Sequence, residues 1–214
     1  MKAEIASLLQ SPFRRLLTVL LAALVASSCM ATSRSANISP GNLDGNPTRM
    51  GIAHTALRSL DDDTFYDPVD QPIAFGFEWT DSFPGVDSSN FGYEGAVAFA
   101  FDFDEVGVAD VSSSFVEGNI GVRGSVDIER LRLFAGGGLA IILADIDVTV
   151  AMVTATDNDI GFGPYVHAGA MYFFGSNWSL GFDVRFLTAT DLDIGGASTD
   201  ADYVQGGIVV GFGL

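Results

Sequence analysis

Phe91 to Asp104 reads FGYEGAVAFAFDFD. Odd positions carry Phe91, Tyr93, Val97, Phe99, Phe101 and Phe103; even positions carry Gly92, Glu94, Ala96, Ala98, Ala100, Asp102 and Asp104. Alternation of large apolar with small or polar residues is a β-strand with two unlike faces. A helix would scatter both sets around its circumference. The same period returns at 178–188, with Trp178, Leu180, Phe182, Val184 and Phe186 against Ser179, Gly181, Asp183, Arg185 and Leu187. It recurs at 73–80 (Ile73, Phe75, Phe77, Trp79) and at the C-terminus (Ile208, Val210, Phe212, Leu214). Less regular strands are expected at about 113–124, 131–145 and 160–174, the last containing Pro164.

The small face decides what surrounds these strands. In a soluble sandwich the large residues face a core and polar ones face water, so Gly and Ala have no reason to dominate the second face. They fit the crowded lumen of a narrow closed barrel of about eight strands, with the bulky face against lipid. Lipid also reconciles 48% hydrophobic residues and a mean hydropathy of +0.34 with a net charge of −17. Tilted strands of about 10–14 residues match a bilayer crossing. Only a closed barrel pairs every backbone group in hydrocarbon, because an open edge leaves amides bare. Ten basic residues against 27 acidic ones exclude a nucleic-acid binder. A single Cys excludes a disulfide framework and a Cys-based zinc site.

The connections alternate in length. Residues 189–201, 146–159 and 58–71 are long and acidic and 104–112 moderate and acidic; 175–177 and 125–130 are short, and 82–90 moderate. Outer-membrane barrels have short periplasmic turns and longer outer loops. With both chain ends on the periplasmic side the strand count is even, so an eighth strand is required before residue 58. Residues 48–57 are the place for it. Trp79, Tyr93, Tyr165, Tyr172, Trp178 and Tyr203 lie toward strand ends, where membrane barrels carry aromatic girdles, although strands are rich in aromatics in any case.

The chain opens with an address. Arg14-Arg15, the apolar run Leu16–Ala26 and the small residues Ser27-Ser28 read as an export signal over 1–28, too short for a membrane helix. Cys29 after Ala26-Ser27-Ser28 resembles a lipoprotein acceptor without the usual Leu, which makes it a candidate for lipidation; the alternative is ordinary cleavage with Cys29 incidental. Residues 29–47 read as a flexible lead-in, and 48–214 as the barrel. Without 1–28 the chain keeps 7 basic and 26 acidic residues.

FGPYVHAGAMYFF (162–174), the turn Gly175-Ser176-Asn177, WSLGFDVRFLTATDLD (178–193) and the terminal YVQGGIVVGFGL (203–214) resemble the small eight-stranded outer-membrane β-barrels, the group of the OmpA transmembrane domain, OmpX and the opacity proteins. The resemblance implies an all-β, antiparallel up-and-down transmembrane barrel in a bacterial outer membrane. It also implies contact with outer-membrane lipid and lipopolysaccharide, and assembly by the barrel-insertion machinery. Such proteins usually end in an aromatic residue, whereas this chain ends in Leu214. The resemblance fixes no activity, since the group includes pores, adhesins, enzymes and structural barrels.

Period two puts Glu78, Glu94, Glu117, Arg123, Arg132, His167, Asp183, Arg185 and Gln205 on the lumen face. Opposite charges in a dehydrated lumen must pair, so these residues are expected to form an ion-pair network that plugs the barrel; the alternative is a narrow charge-lined pore. A lipid A-modifying enzyme needs His with Ser and an acid at the outer rim. His167-Ala168-Gly169-Ala170 offers no such element, and no catalytic residue and no cofactor are assigned. Among the acids, Asp61, Asp62, Asp63, Asp191 and Asp193 are candidate Ca2+ ligands, but none follows an EF-hand order, so solvated charge is the expected role and no metal site is assigned. The expected function is a structural or surface-interaction barrel with acidic outer loops and no enzymatic activity. The other reading is a soluble or lipid-anchored, lipocalin-like barrel with an apolar ligand inside. Orientation separates the two: the ligand binder needs Phe99, Phe101, Leu180, Phe182 and Phe212 to line the interior.

Overall fold

A computed structural model describes residues 49–60, 71–83, 90–174, 177–188, 190–194 and 197–214. The expected export signal and lead-in, Cys29, and Asp61, Asp62 and Asp63 lie outside the described residues. Among the described residues no helix is long and apolar enough to cross a membrane.

Eight strands close into an antiparallel barrel. They are β1 (Met50–Leu60), β2 (Ile73–Ser82), β3 (Phe91–Val106), β4 (Ala109–Ile128), β5 (Leu131–Val150), β6 (Val153–Phe173), β7 (Trp178–Leu187) and β10 (Tyr203–Gly213). Each pairs with its neighbour in sequence, and β10 closes the ring between β7 and β1. The closing register runs from Met50 opposite Gly213 to Leu60 opposite Tyr203. It is extended by the Leu214 N–H donating to the Arg49 carbonyl at 3.1 Å. Two short strands, β8 (Asp191–Ile194) and β9 (Ala197–Asp200), form a separate hairpin between β7 and β10.

The large apolar side chains point outward. Phe101 is 40%, Phe182 57% and Ile120 71% exposed on the isolated chain, and Leu180, Phe186, Ile208 and Val210 share that face. Phe212 is half-buried against its outward neighbours, its ring 6.0 Å from those of Phe77 and Trp178. The interior is filled by ion pairs at mid-height and by other packed side chains above and below them, and Phe101, Leu180, Phe182 and Phe212 do not line it, so the lipocalin-like reading fails on orientation. At the periplasmic end Trp79, Tyr93, Tyr172 and Trp178 lie on the outward face. Tyr165 and Tyr203 do not belong to a girdle. They fall on the same strand faces as His167 and Gln205 and are buried in the lumen.

Three strand limits differ from the sequence reading. The first strand runs to Leu60 rather than 57, which carries Arg58 into the barrel instead of the loop. Residues 104–112 and 146–159 are not irregular loops. β3 and β4 continue to a two-residue turn at Gly107-Val108, and β5 and β6 to another at Ala151-Met152. Acidic residues obscure this because Asp is poor in strands by propensity, whereas here it alternates with Val and Thr in paired ribbon. Pro164 is accommodated inside β6 because β7 ends at Leu187, opposite Tyr165. The absent N–H would face the side where the partner strand has stopped, and its carbonyl accepts from the Thr188 N–H at 3.2 Å.

The hairpins therefore extend the barrel wall into a four-stranded exterior sheet, in which the pattern inverts. The register row Val116, Leu143 and Ile160 is apolar and outward. The next row, Ser114, Asp145 and Asn158, faces the same way and is polar. Beyond it Ser112, Asp147 and Thr156 continue outward, while Val111, Ile146 and Val148 turn to the inner face. Lipid in place of water outside the wall inverts which face is greasy, so the outer boundary of the hydrocarbon lies between these two rows.

Ala151 and Met152 both have positive φ, 49° and 69°. A two-residue hairpin of this type demands that conformation twice, and a side chain there costs about 1–2 kcal/mol per residue. Met152 is 97% exposed, so little packing is lost by replacing it. Substituting Ala151-Met152 by Asn-Gly is expected to raise unfolding stability by about 1 kcal/mol or more, read from urea titration of the refolded barrel in lipid vesicles.

Candidate functional site

The charged side chains of the lumen are positioned by strand parity, and they meet in two linked groups. In the first, Arg58 of β1 reaches across to Glu117 of β4, with Nη2 donating to Oε2 at 2.6 Å. The guanidinium also donates to Gln205 Oε1 at 3.1 and 3.2 Å and lies 3.7 Å over the Tyr203 ring. Glu117 accepts further from Tyr203 Oη, 2.8 Å from both carboxylate oxygens, and from Asn119 Nδ2 at 3.0 Å. Arg185 of β7 stands between two carboxylates, 3.1 Å from Glu78 and 3.8 Å from Glu117. Arg123 pairs with the other oxygen of Glu78 and lies 3.7 Å over the Phe134 ring. Arg58, Arg185 and Glu117 are each buried to within 2%.

The second group centres on His167 of β6. Its Nε2 lies 2.9 and 3.0 Å from the two oxygens of Glu94, and its Nδ1 lies 2.9 Å from Asp183 Oδ1. Tyr165 Oη donates to Glu94 at 2.8 Å. Both ring nitrogens face carboxylates, so both contacts are hydrogen bonds when the ring carries two protons. The middle of the lumen then sets Arg58, Arg123, Arg185 and His167 against Glu78, Glu94, Glu117 and Asp183, four charges of each sign. The acidity of the chain lies elsewhere.

Glycine makes room for this group. A Cβ on Gly136 would lie 2.5 Å from His167 Nε2 and 2.8 Å from Glu94, and one on Gly121 would strike the Tyr165 hydroxyl. Gly136 of β5 and Gly121 of β4 therefore leave the hollow that the His167–Glu94–Tyr165 cluster fills. Above and below, the lumen is apolar. Leu60, Leu187 and Leu192 pack toward the outer mouth with Phe115, Ile142 and Ile146; Met50, Ile52, Phe134, Met171, Phe173 and Val209 pack toward the periplasmic end. Leu192 belongs to β8, whose hairpin is held by the Thr190 N–H and hydroxyl donating to Asp202 at 2.9 and 2.7 Å.

Of the lumen residues named from sequence, Glu78, Glu94, Glu117, Arg123, His167, Asp183 and Arg185 come together. Arg132 stands apart at the periplasmic end, where it forms a two-pronged pair with Asp127 at 2.7 and 2.8 Å. Arg58 and Asn119 are members that sequence reasoning missed. Continuing the period of Ile52, His54 and Ala56 by one step would have found Arg58. His54 shares that inward face, with Gly76 left bare beneath its ring. Asp191 pairs with Asp200 in the β8–β9 register, and the Asp193 N–H donates to Asp159 at 2.6 Å. Among the described residues no three or more His, Cys, Asp or Glu are placed to hold a metal ion.

A closed eight-stranded wall, greasy outside and ion-paired within, defines a small transmembrane β-barrel. The chain matches the outer membrane protein beta-barrel domain over residues 19–214 and belongs to that family, in the outer membrane of a bacterium. Among solved structures it is similar to the outer membrane protein OprG of Pseudomonas aeruginosa, at 13% identity and a TM-score of 0.56, covering 80% of this chain and 98% of the other. A major outer membrane protein from Thermus thermophilus matches at 12% identity and a TM-score of 0.50, covering 76% and 98%. The attachment invasion locus protein Ail of Yersinia pestis matches at 12% identity and a TM-score of 0.49, covering 78% and 98%. These likenesses concern the fold alone. Comparison with curated protein sequences gives no match.

Breaking a buried ion pair from one side leaves a bare charge and costs about 3–5 kcal/mol. Arg58→Met is expected to destabilise the barrel by that amount. The double variant Arg58→Met/Glu117→Gln keeps an oxygen for Tyr203 and Asn119 but no charge, and should recover part of the loss. Urea unfolding in vesicles, followed by the mobility shift on boiling, reads both.

Proposed function

We propose that this protein is a structural and surface-interaction barrel of the outer membrane: a sealed wall that carries an acidic sheet above the lipid. The observation that supports this best is the combination of a paired, charge-balanced lumen with a wall that continues past the hydrocarbon as β3–β6. Eight strands leave room only for packed side chains, and here Arg58, Arg185 and Glu117 occupy the axis while Leu192 packs at the outer mouth. The exterior part offers acidic and polar groups outward at Asp110, Asp145 and Asp147. Partial burial and the adjacent Asp147 hold the Asp145 carboxyl above the usual carboxylate range. Such a surface attracts cations and cationic partners and repels anions.

No lipid A-modifying activity belongs to this reading. His167 is held on both sides by carboxylates in the lumen, with no Ser hydroxyl among its hydrogen-bond partners. Residues 1–28 are proposed to be removed on export, residues 29–47 to lead into the barrel, and Cys29 to be the point of any lipid attachment. The outward aliphatic and aromatic band contacts outer-membrane lipid, with lipopolysaccharide against its outer part. β10, with Ile208, Val210 and Phe212 before Leu214, is the segment proposed to be read by the barrel-insertion machinery.

Reconstitution in planar bilayers tests the sealed lumen. The wild-type chain is expected to give no resolved conductance steps, and lipid A from cells making it is expected to be unaltered. Regular single-channel openings would contradict the sealed lumen, and a shortened or extended lipid A would contradict the non-enzymatic reading.

A further inference from the structure

Among the described residues, the exterior sheet has two sides without a partner strand. β2 begins at Ile73, opposite Phe101, and β7 ends at Leu187, opposite Tyr165. Beyond those points, among the described residues, no strand pairs with the far side of β3 or of β6. Among the described residues, the segment after β7 hydrogen-bonds to β6 at Asp159, through the Asp193 N–H. The two-residue turns make Val106–Ala109 and Val150–Val153 the bonded pairs nearest each tip. Alternation then aims the N–H groups of Phe103 and Glu105 on β3, and of Asn158 on β6, away from the sheet.

Each of those three N–H groups is taken by the side chain of the residue before it. Phe103 N donates to Asp102 Oδ1 at 2.8 Å, Glu105 N to Asp104 Oδ1 at 2.7 Å, and Asn158 N to Asp157 Oδ1 at 2.9 Å. The second oxygen of Asp102 accepts from the Gln71 N–H at 3.1 Å. The three aspartates fall on the inner-facing parity of their strands. Asp110, Asp145 and Asp147 face outward and, among the described residues, accept no backbone N–H. A row of unsatisfied edge donors is a template for another strand, and inward charges on edges are a known way of blunting it.

We propose that Asp102, Asp104 and Asp157 are edge guards. By occupying the outward donors of β3 and β6 they deny a second copy of this chain the hydrogen bonds it would need to add its own exterior strand. The occupant excluded is another copy because identical strands pair in register along their whole length. The carboxylates also bring like charges face to face on approach. This goes beyond the surface role proposed above, and it holds whether or not that role is correct.

The test uses the full chain in detergent, with folding checked by the mobility shift on boiling. Asp102→Ala/Asp104→Ala/Asp157→Ala is expected to self-associate in sedimentation, with an association constant at least about tenfold above wild type. Asp110→Ala/Asp145→Ala/Asp147→Ala removes the same charge and is expected to stay monomeric. Asp102→Asn/Asp104→Asn/Asp157→Asn, which keeps an acceptor oxygen, is expected to stay monomeric too. A monomeric guard variant, or equal association of the charge-matched control, would overturn the proposal. Amide exchange on the wild-type chain provides a reading that needs no variant. Phe103, Glu105 and Asn158 should be protected relative to the same-edge amides of Thr154 and Thr156; equal exchange would overturn it as well.

Discussion

Hydrocarbon offers no partner to a peptide N–H or C=O, and every feature of this chain follows from that refusal. A strand crossing lipid must be paired on both sides, so the sheet closes, with β10 against β1 from Met50–Gly213 to Leu60–Tyr203. Closure at eight strands fixes a lumen too narrow for water to fill. The strand period of two then sorts every residue into one of two environments. Phe182 and Ile208 meet acyl chains, while Asp183 and Val209, one position along, meet the axis.

The lumen must tolerate charge because it is the only place a short strand can hide it. Ionised groups there must find partners, and the structure shows how each does. Arg185 divides its donors between Glu78 and Glu117, and His167 lies between Glu94 and Asp183. Glycines at 121 and 136 leave the volume these contacts require. Stability and closure of the pore are thereby the same set of contacts, which is why a substitution at Arg58 should be felt by folding before it is felt by permeability.

Much of this was legible in the residues. The alternation in 91–104, 178–188 and 203–214 specifies strand, face and medium, since small residues opposite large ones make sense only around a crowded axis. Seven of the eight charged residues placed on the lumen face meet in the axial network. What escapes a reading of the sequence does so for physical causes. Arg58 is hidden because β1 carries Met50, Ile52, Ala56 and Leu60 inward and Ala53, Thr55 and Ser59 outward, with Leu57 its one large outward side chain, so its greasy face does not announce the lipid side. The exterior ribbons read as loops because acidic composition masks a period of two when the greasy face switches sides at Asp145. Tyr165 and Tyr203 lie near strand ends, which suggests a girdle, although parity with His167 and Gln205 places them inside. Nearness in sequence gives no hint that Asp102, Asp104 and Asp157 bond to the backbone at sheet edges.

The central claim concerns orientation across the wall, and oxygen accessibility measured on nitroxide labels reads it directly. Labels placed one at a time from 179 to 184 and from 206 to 211, in the chain reconstituted in lipid, should alternate. High oxygen contact is predicted at 180, 182, 208 and 210, and low contact at 181, 183, 207 and 209. The opposite phase, or contact with a water-soluble relaxant at the first set, would mean that the apolar face is turned inward and that the barrel does not stand in lipid as described.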